Sequence, residues 1–466
     1  MTERTSFRYV FLWGVCLVAA MGGLLFGYDF VVIGGAKPFY EPFFGISDQT
    51  PGLRGFAQTS ALLGCLFGAV LSGGLSDRFG RKRLLALSGF LFTASAVWTA
   101  LSWDYISFNL ARILGGIGIG LASNLSPMYI AEVAPASIRG VFVSINQLTI
   151  VIGILAAQVV NLLIAQPVPP DATAEFIRQS WNGLYGWRWM FGAETFPALS
   201  FFLLMFFVPE SPRWLVKAGR DEEAELILKK IGGAEYAQRS LSEIHATLAQ
   251  NEIGQVHLGE LLEPRLLKIV ALGVFLAVFQ QWCGINVIFN YAQEVFTNAG
   301  FSINGTMLSI VTTGVVNLLF TFPALVLVDK LGRRKLMLTG AGGLALIFGA
   351  LGAGYYYGVK GVVMLVLVVS AIGCYAMTLA PVTWVIISEI FPNRIRGAAV
   401  SVAVFSLWVA CAALTFTFPY LNRALGTYGT FWLYAAICVC GFVVLAVRLP
   451  ETKGKTLEQI EHELLG

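Results

Sequence analysis

Long apolar runs alternate with short polar interruptions along almost the whole chain. Read in windows of about 19 residues, twelve runs are long enough to cross roughly 30 Å of hydrocarbon as helices. They lie near 9–34, 56–76, 84–103, 106–131, 140–165, 188–208, 267–297, 306–328, 336–357, 362–390, 398–421 and 428–449. Lipid offers backbone amides no partners, and a helix satisfies them within itself. The pattern therefore predicts an all-α membrane protein. The first run continues past Asp29 without a small-residue cleavage pattern, which is too long for a removable leader. The one long polar interruption, 209–266, holds two short helical patterns at 221–231 and 240–251, with acidic starts and Gly232-Gly233 as a stop.

Composition agrees with this reading. Of 466 residues, 57% are hydrophobic and only 12% charged, against roughly 25% charged in soluble domains. Lysine and arginine then set the orientation. With both termini inside, 24 of the 31 fall in cytoplasmic segments, six in outer ones, and Arg112 alone within a run. That bias is a positive-inside signal. The formal charge of +4 thus describes a face near anionic membrane lipid, and no nucleic-acid partner is expected. All seven cysteines lie in apolar runs with no metal spacing and no outer-loop pair for a disulfide. His245, His257 and His462 are all cytoplasmic, which excludes a histidine proton relay inside the membrane.

The chain repeats itself. Asp77-Arg-Phe-Gly-Arg-Lys returns as Asp329-Lys-Leu-Gly-Arg-Arg. Glu132-Val-Ala-Pro-Ala-Ser-Ile-Arg-Gly returns as Glu389-Ile-Phe-Pro-Asn-Arg-Ile-Arg-Gly, and Pro209-Glu-Ser as Pro450-Glu-Thr. The offsets of 252, 257 and 241 residues indicate two six-run halves in parallel. Parallel halves related by an axis along the membrane normal are the layout of the major facilitator fold. The expected organisation is a bundle at 1–208, a linker with short helices at 209–266, a second bundle at 267–449 and a tail at 450–466. The repeated charges sit at inner helix ends: Asp77, Arg78, Arg81, Glu132, Arg139, Glu210 and Arg213, then Asp329, Arg333, Arg334, Glu389, Arg396 and Glu451. They are expected to form a cytoplasmic gate that clips the halves together when the inside is closed.

Polar residues inside the runs carry the chemistry. The segment 279–290, FQQWCGINVIFN, places Gln280, Gln281, Asn286 and Asn290 in hydrocarbon. A partnerless amide there costs roughly 2–7 kcal/mol, so the four must face protein or a wet cavity. Amides can glue helices together. A cluster of uncharged donors and acceptors also suits a neutral, hydroxyl-rich solute. Three charges are embedded at one depth: Asp29, Arg112 and Glu194 each lie about six residues, or ~9 Å, from the outer end of their runs. Asp29 and Arg112 are expected to pair. A carboxylate that gains and loses an arginine can couple to protons; a static brace is the alternative.

In order and spacing, GGLSDRFGRKR, PESPRW, QQWCGIN, VDKLGRRK and PETKGK resemble the sugar porter family of the major facilitator superfamily, over nearly the whole chain. Runs such as ARILGGIGIGLASNLSPMYIAE and WVIISEIFPNRIRG are similar to bacterial proton-coupled xylose and hexose symporters. The resemblance implies sugar contacts at Gln147, Gln280, Gln281, Asn286, Asn317 and Trp384, with Phe26, Tyr291 and Trp408 as apolar wall. It implies proton coupling at Asp29, in Phe26-Gly27-Tyr28-Asp29, with Arg112, and a modulating role for Glu194. Some positions depart from the family. Ile154 stands in place of a second glutamine, Asn290 in place of a tyrosine, and Leu407 where Asn or Gln is usual. Ala380 replaces a glycine before Pro381.

The function expected is proton-coupled uptake of a monosaccharide, an aldopentose or aldohexose such as xylose or glucose, by alternating access across the plasma membrane. The partners expected are that sugar, the proton and lipid, with the monomer as functional unit. Asp29 argues against facilitative uniport, and a short tail after Pro450 against a sensor. An exporter of another solute on the same fold is the more distant reading. No metal set or nucleophile–base constellation points to an enzyme, and no cofactor is expected.

Overall fold

The computed structural model describes residues 7–170, 172–252, 261, 263–392 and 395–453, without the side chains of 249–252, 325, 329, 388, 396 and 397. The chain begins with α1 (Tyr9–Phe44), α2 (Pro51–Phe79), α3 (Arg81–Leu101), α4 (Tyr105–Val133) and α5 (Arg139–Ile164). A short α6 (Ala174–Gln179) and one wide turn (Asn182–Gly186) lead to α7 (Trp187–Gly192) and α8 (Thr195–Leu204). Next come α9 (Pro212–Lys217) and α10 (Asp221–Glu252). The second half holds α11 (Pro264–Trp282), α12 (Ile285–Asn290), α13 (Ala292–Asn298), α14 (Ile303–Leu331), α15 (Arg333–Tyr356), α16 (Val362–Met377), α17 (Leu379–Glu389) and α18 (Arg396–Arg448).

Ten stretches among the described residues are long and apolar enough to cross a membrane. Helix α18 breaks at Gly426, whose φ of 70° is left-handed, so its 53 residues hold two crossings. Helices α7 and α8, parted at Ala193 and Glu194, follow the run expected at 188–208. The twelve expected runs are accommodated in this way. The linker helix α10 breaks at Gly233, φ 85°, beside the expected stop, but its second limb resumes at once rather than at 240. His257 and His462 lie outside the described residues.

The first helix continues ten residues past its expected end at 34, to Phe44. Lys37 and Glu41, which looked like loop residues, are buried within it. Gly45 stops it in a left-handed conformation, φ 69°, and the N–H of Ile46 closes on the Glu41 carbonyl at 2.8 Å.

Small residues set how closely the helices approach. Along the α2–α4 crossing, Gly64 and Gly68 face Gly116 and Gly120. A Cβ on Gly64 would come within 2.8 Å of the Gly116 Cα, and one on Gly120 within 2.6 Å of the Ala69 nitrogen. Lipid is as apolar as leucine, so such backbone contact is what holds the pair. Between halves, α2 packs on α18, α5 on α14, and α1 on α12 and α13. These junctions lie away from the face that carries the chain ends. There a Cβ on Gly55 would sit 2.7 Å from the Phe416 carbonyl, and Asn304 exchanges two hydrogen bonds with the Val168 backbone, at 3.0 and 3.1 Å. The halves thus meet at the face opposite the termini.

The tight α2–α4 crossing makes a prediction. Gly120→Val should destabilise the protein by about 1–3 kcal/mol through overpacking, seen as a lowered unfolding midpoint of the purified protein in detergent.

Candidate functional site

The embedded charges come together as the sequence predicts. Asp29 and Arg112 are each only 2% exposed. One guanidinium nitrogen donates to the Asp29 carboxylate and another to the Asp29 main-chain oxygen at 3.1 Å. The guanidinium also lies 5.2 Å from the Phe191 ring centroid. Removing one partner of such a buried pair typically costs about 3–5 kcal/mol, because the other charge is stranded. The pair is nonetheless incompletely satisfied. Asp29 Oδ2 and Arg112 Nε are buried without hydrogen-bond partners, and so is Glu194 Oε1. Glu194 occupies the turn between α7 and α8 and interacts electrostatically with both Asp29 and Arg112.

The amide cluster owes its shape to two breaks in one span. Gly284, at φ 95°, ends α11, and a Cβ there would press to 2.7 Å of the Tyr434 ring. A second break follows at Tyr291. The amides join in one direction: Asn286 donates to Gln281, and Gln281 to Gln280 at 3.4 Å. Gln280 donates in turn to the carbonyls of Ala380 and Leu379, at 3.3 and 3.5 Å. Those carbonyls open α17, just after the chain breaks at Thr378. Gln280 therefore does bind helices together, with Gln281 and Asn286 linked to it in series. Asn290 reaches Thr415 on α18 at 3.5 Å, and the Tyr291 hydroxyl donates to the Thr415 carbonyl at 2.6 Å.

The aromatic wall is partly assembled. Phe26 of α1 meets Trp408 of α18 across the two halves, centroids 5.8 Å apart. Trp408 is buried and its indole N–H has no acceptor. Trp384, in α17, is 42% exposed although it lies in a membrane-spanning helix. Gln147 is half-buried on α5, Asn317 is buried on α14, and among the described residues neither bonds to the amide chain. The Ile154 main-chain nitrogen lies beside Gly27 of α1, its side chain is half-buried, and Leu407 is buried.

Two contacts escaped the sequence reading. Gln158 of α5 donates to Thr313 of α14 at 3.4 Å, four residues beyond the missing glutamine at Ile154. Lys37 pairs with Glu294 across the halves. The helical period continuing past residue 34 was the signal for the second.

The family described as sugar (and other) transporter matches residues 15–464. The chain belongs to the sugar transporter family. It is 40% identical to the D-xylose-proton symporter of Escherichia coli K12, over 98% of this chain and 96% of that one. It is 38% identical to the arabinose-proton symporter of Bacillus subtilis, over 99% and 96% respectively. The inward open conformation of the xylose transporter XylE from E. coli superposes with a TM-score of 0.84, at 39% identity, covering 97% of this chain and 99% of that one. The fold is thus the major facilitator fold in an integral membrane protein, and the family is one of carriers, not enzymes.

The repeated charges of this sugar transporter build the same object twice. Glu210 accepts the backbone N–H groups of Arg81 and Lys82, each at 3.0 Å, at the start of α3. Glu451 accepts those of Arg333 and Arg334, at 2.9 and 3.2 Å, at the start of α15. A carboxylate at a helix N-terminus meets unpaired donors and the positive end of the dipole. Gly80 and Gly332, at φ 92° and 91°, leave room for it. Arg81 then grips Glu132 through two bonds, 3.0 and 3.1 Å, and Arg333 reaches Glu389 at 3.2 Å. Asp77 holds Arg81 and Lys217. Arg81–Glu132 and Arg333–Glu389 each join helices of one half, and Asp77 ties the first half to the linker through Lys217; the clip between halves was expected for a closed cytoplasmic side. Arg78 lies against the Phe79 ring, Arg334 donates to the Ala446 carbonyl, Arg139 is exposed and Arg213 half-buried. The side chains of Asp329 and Arg396 are outside the described residues.

Glu210→Ala should therefore destabilise the first half by about 1–3 kcal/mol, since charge-assisted bonds are lost and donors left unmet. Thermal unfolding would show it, and Glu451→Ala should match it.

Proposed function

We propose that this chain is a proton-coupled monosaccharide symporter that takes up an aldopentose or aldohexose, such as xylose or glucose, by alternating access. The observation that carries this reading is the buried Asp29–Arg112 pair, with one Asp29 oxygen unpartnered and Glu194 in the same field. Accumulating a neutral sugar requires a driving ion, and a carboxylate that exchanges an arginine for a proton supplies the coupling. The proton symport of two relatives supports it. The carrier sits in the plasma membrane with both termini cytoplasmic, as the lysine and arginine bias supports. Residues 1–208 and 267–449 act as the moving halves, linked by 209–266 and followed by the tail at 450–466. The monomer is the working unit.

The sugar lies between the halves. Gln147, Gln281, Asn286 and Asn317 hold its hydroxyls, Gln280 positions Gln281, and Phe26, Trp384 and Trp408 offer apolar faces. The unpartnered indole N–H of Trp408 is a free donor for a hydroxyl. Ile154 and Leu407 make two walls less polar, and Asn290 supports the pocket by tying α12 to α18. The repeated charges, Asp77 to Arg213 and Asp329 to Glu451, stiffen each half at the cytoplasmic face so that it moves as a body. Deprotonated Asp29 holds Arg112 and disfavours closure around sugar from outside. Protonation frees Arg112, the loaded carrier turns inward, and loss of the proton re-forms the pair. A closed pair in a structure similar to an inward-open relative accords with that order.

Gln281→Ala should weaken sugar binding about tenfold or more, as hydroxyls lose a partner that water replaces poorly. Titration calorimetry with xylose and glucose checks this, and unchanged affinity would remove α11 from the site. Asp29→Asn should keep sugar counterflow but lose accumulation driven by a pH gradient in proteoliposomes. Retained accumulation would move the coupling elsewhere. Parent uptake indifferent to the gradient would make the carrier a uniporter.

A further inference from the structure

The densest charge cluster outside these sites lies at the face opposite the termini, where the halves meet. The Lys37 side chain, on α1, is wholly buried. Its ammonium pairs with Glu294 of α13, across the boundary between halves. It also lies 3.7 Å from Glu41, one turn along its own helix, and 4.3 Å from the Tyr291 ring centroid. Arg54 of α2 holds both Glu41 oxygens, at 2.9 and 3.0 Å, reaches Asp48 at 2.5 Å, and stands 4.0 Å from Glu294. Glu294 Oε2 is buried without a partner. A cavity of about 350 Å³ opens beside the cluster, lined by Glu41, Arg54, Glu294 and Asn422 among others.

The charges divide unequally between the halves. Lys37, Glu41, Asp48 and Arg54 belong to the first half and balance one another; Glu294, the partner of Lys37, belongs to the second, as does Arg423 on the cavity wall. If α13 moves away, Lys37 keeps Glu41, Arg54 keeps Glu41 and Asp48, and Glu294 passes into widening water. A buried ammonium is thus never left alone, which would otherwise cost several kcal/mol. We propose that Lys37 and Glu294 form an ion-pair latch that holds this face closed, and that Glu41 is the competing partner to which Lys37 transfers when the face opens. The latch sets how often the carrier opens on this side, and it rests on the alternating-access reading.

The two acids therefore have opposite effects. Glu294→Gln removes the bond across the halves and favours opening. Glu41→Gln leaves Lys37 with Glu294 alone, so opening strands a buried cation and is disfavoured. Lys37→Met resembles Glu294→Gln. The reporter is Thr313→Cys: Thr313 is 2% exposed and touches Gln158 across the same boundary. Labelling by a membrane-impermeant maleimide is timed on the purified carrier in nanodiscs without sugar, against the background of the seven native cysteines. Glu294→Gln and Lys37→Met should each speed labelling about fivefold, the shift expected for loss of roughly 1 kcal/mol. Glu41→Gln should slow it by a similar factor. The latch is overturned if Glu294→Gln stays within about twofold of the parent, or if both acid variants shift labelling the same way. Should Glu41→Gln fail to give a monodisperse protein, the Glu294 and Lys37 variants decide alone, since their agreement is required. Sugar enters nowhere, so a wrong substrate reading would show in uptake assays and leave this result standing.

Discussion

A charge placed in hydrocarbon must keep a partner, and most of this structure follows from that requirement. Arg112 is tolerable in α4 because Asp29 meets it with both a carboxylate and a main-chain oxygen. Lys37 is tolerable in α1 because two carboxylates reach it. Isolated, each would cost several kcal/mol. Paired, each fixes the mutual position of two helices. Hydrogen-bonding capacity is left over at the first of these, where Asp29 Oδ2, Arg112 Nε and Glu194 Oε1 are buried without partners.

Backbone groups obey the same rule. Helix starts expose unpaired N–H groups, and the two at Arg81 and Arg333 receive Glu210 and Glu451. Beside the interruption at Thr378, Gln280 donates to two carbonyls at the start of α17, so an amide that looks like substrate chemistry is partly a fastening between helices. One residue type thus serves two ends: Gln280 fastens α11 to α17, and in doing so it orients Gln281 and Asn286 beyond it. Breaks at Gly284 and Tyr291 give the same span its bend. Irregular backbone inside a membrane is tolerated only where protein or a cavity meets it, which is why bends and polar side chains coincide here.

Much of this could be read in the chain. Helical spans follow from hydrophobic runs, because lipid leaves no other regular solution for most of the backbone. The two halves follow from the repeated Asp77, Glu132 and Pro209 segments and their partners, and the Asp29–Arg112 pair follows from equal depth. Helix ends were harder to read. Lys37 and Glu41 lie past the expected end of the run at 34, and partners outside the helix, Glu294 for Lys37 and Arg54 for Glu41, let it keep them.

By itself, then, the sequence determined which segments enter the membrane, that they form two related halves, and which polar residues must find partners there. Those are consequences of solvation, which acts on each residue wherever it lands. Only the tertiary structure decided which partner each one takes. Glu132 and Glu389 grip arginines of their own half rather than the other. Gln280 turns to α17, Gln158 stands in reach of Thr313, and Glu294 crosses to Lys37. These choices depend on distances of a few ångströms between residues far apart in the chain, set by how glycine-lined helices cross and where they break, and solvation alone carries no such distances.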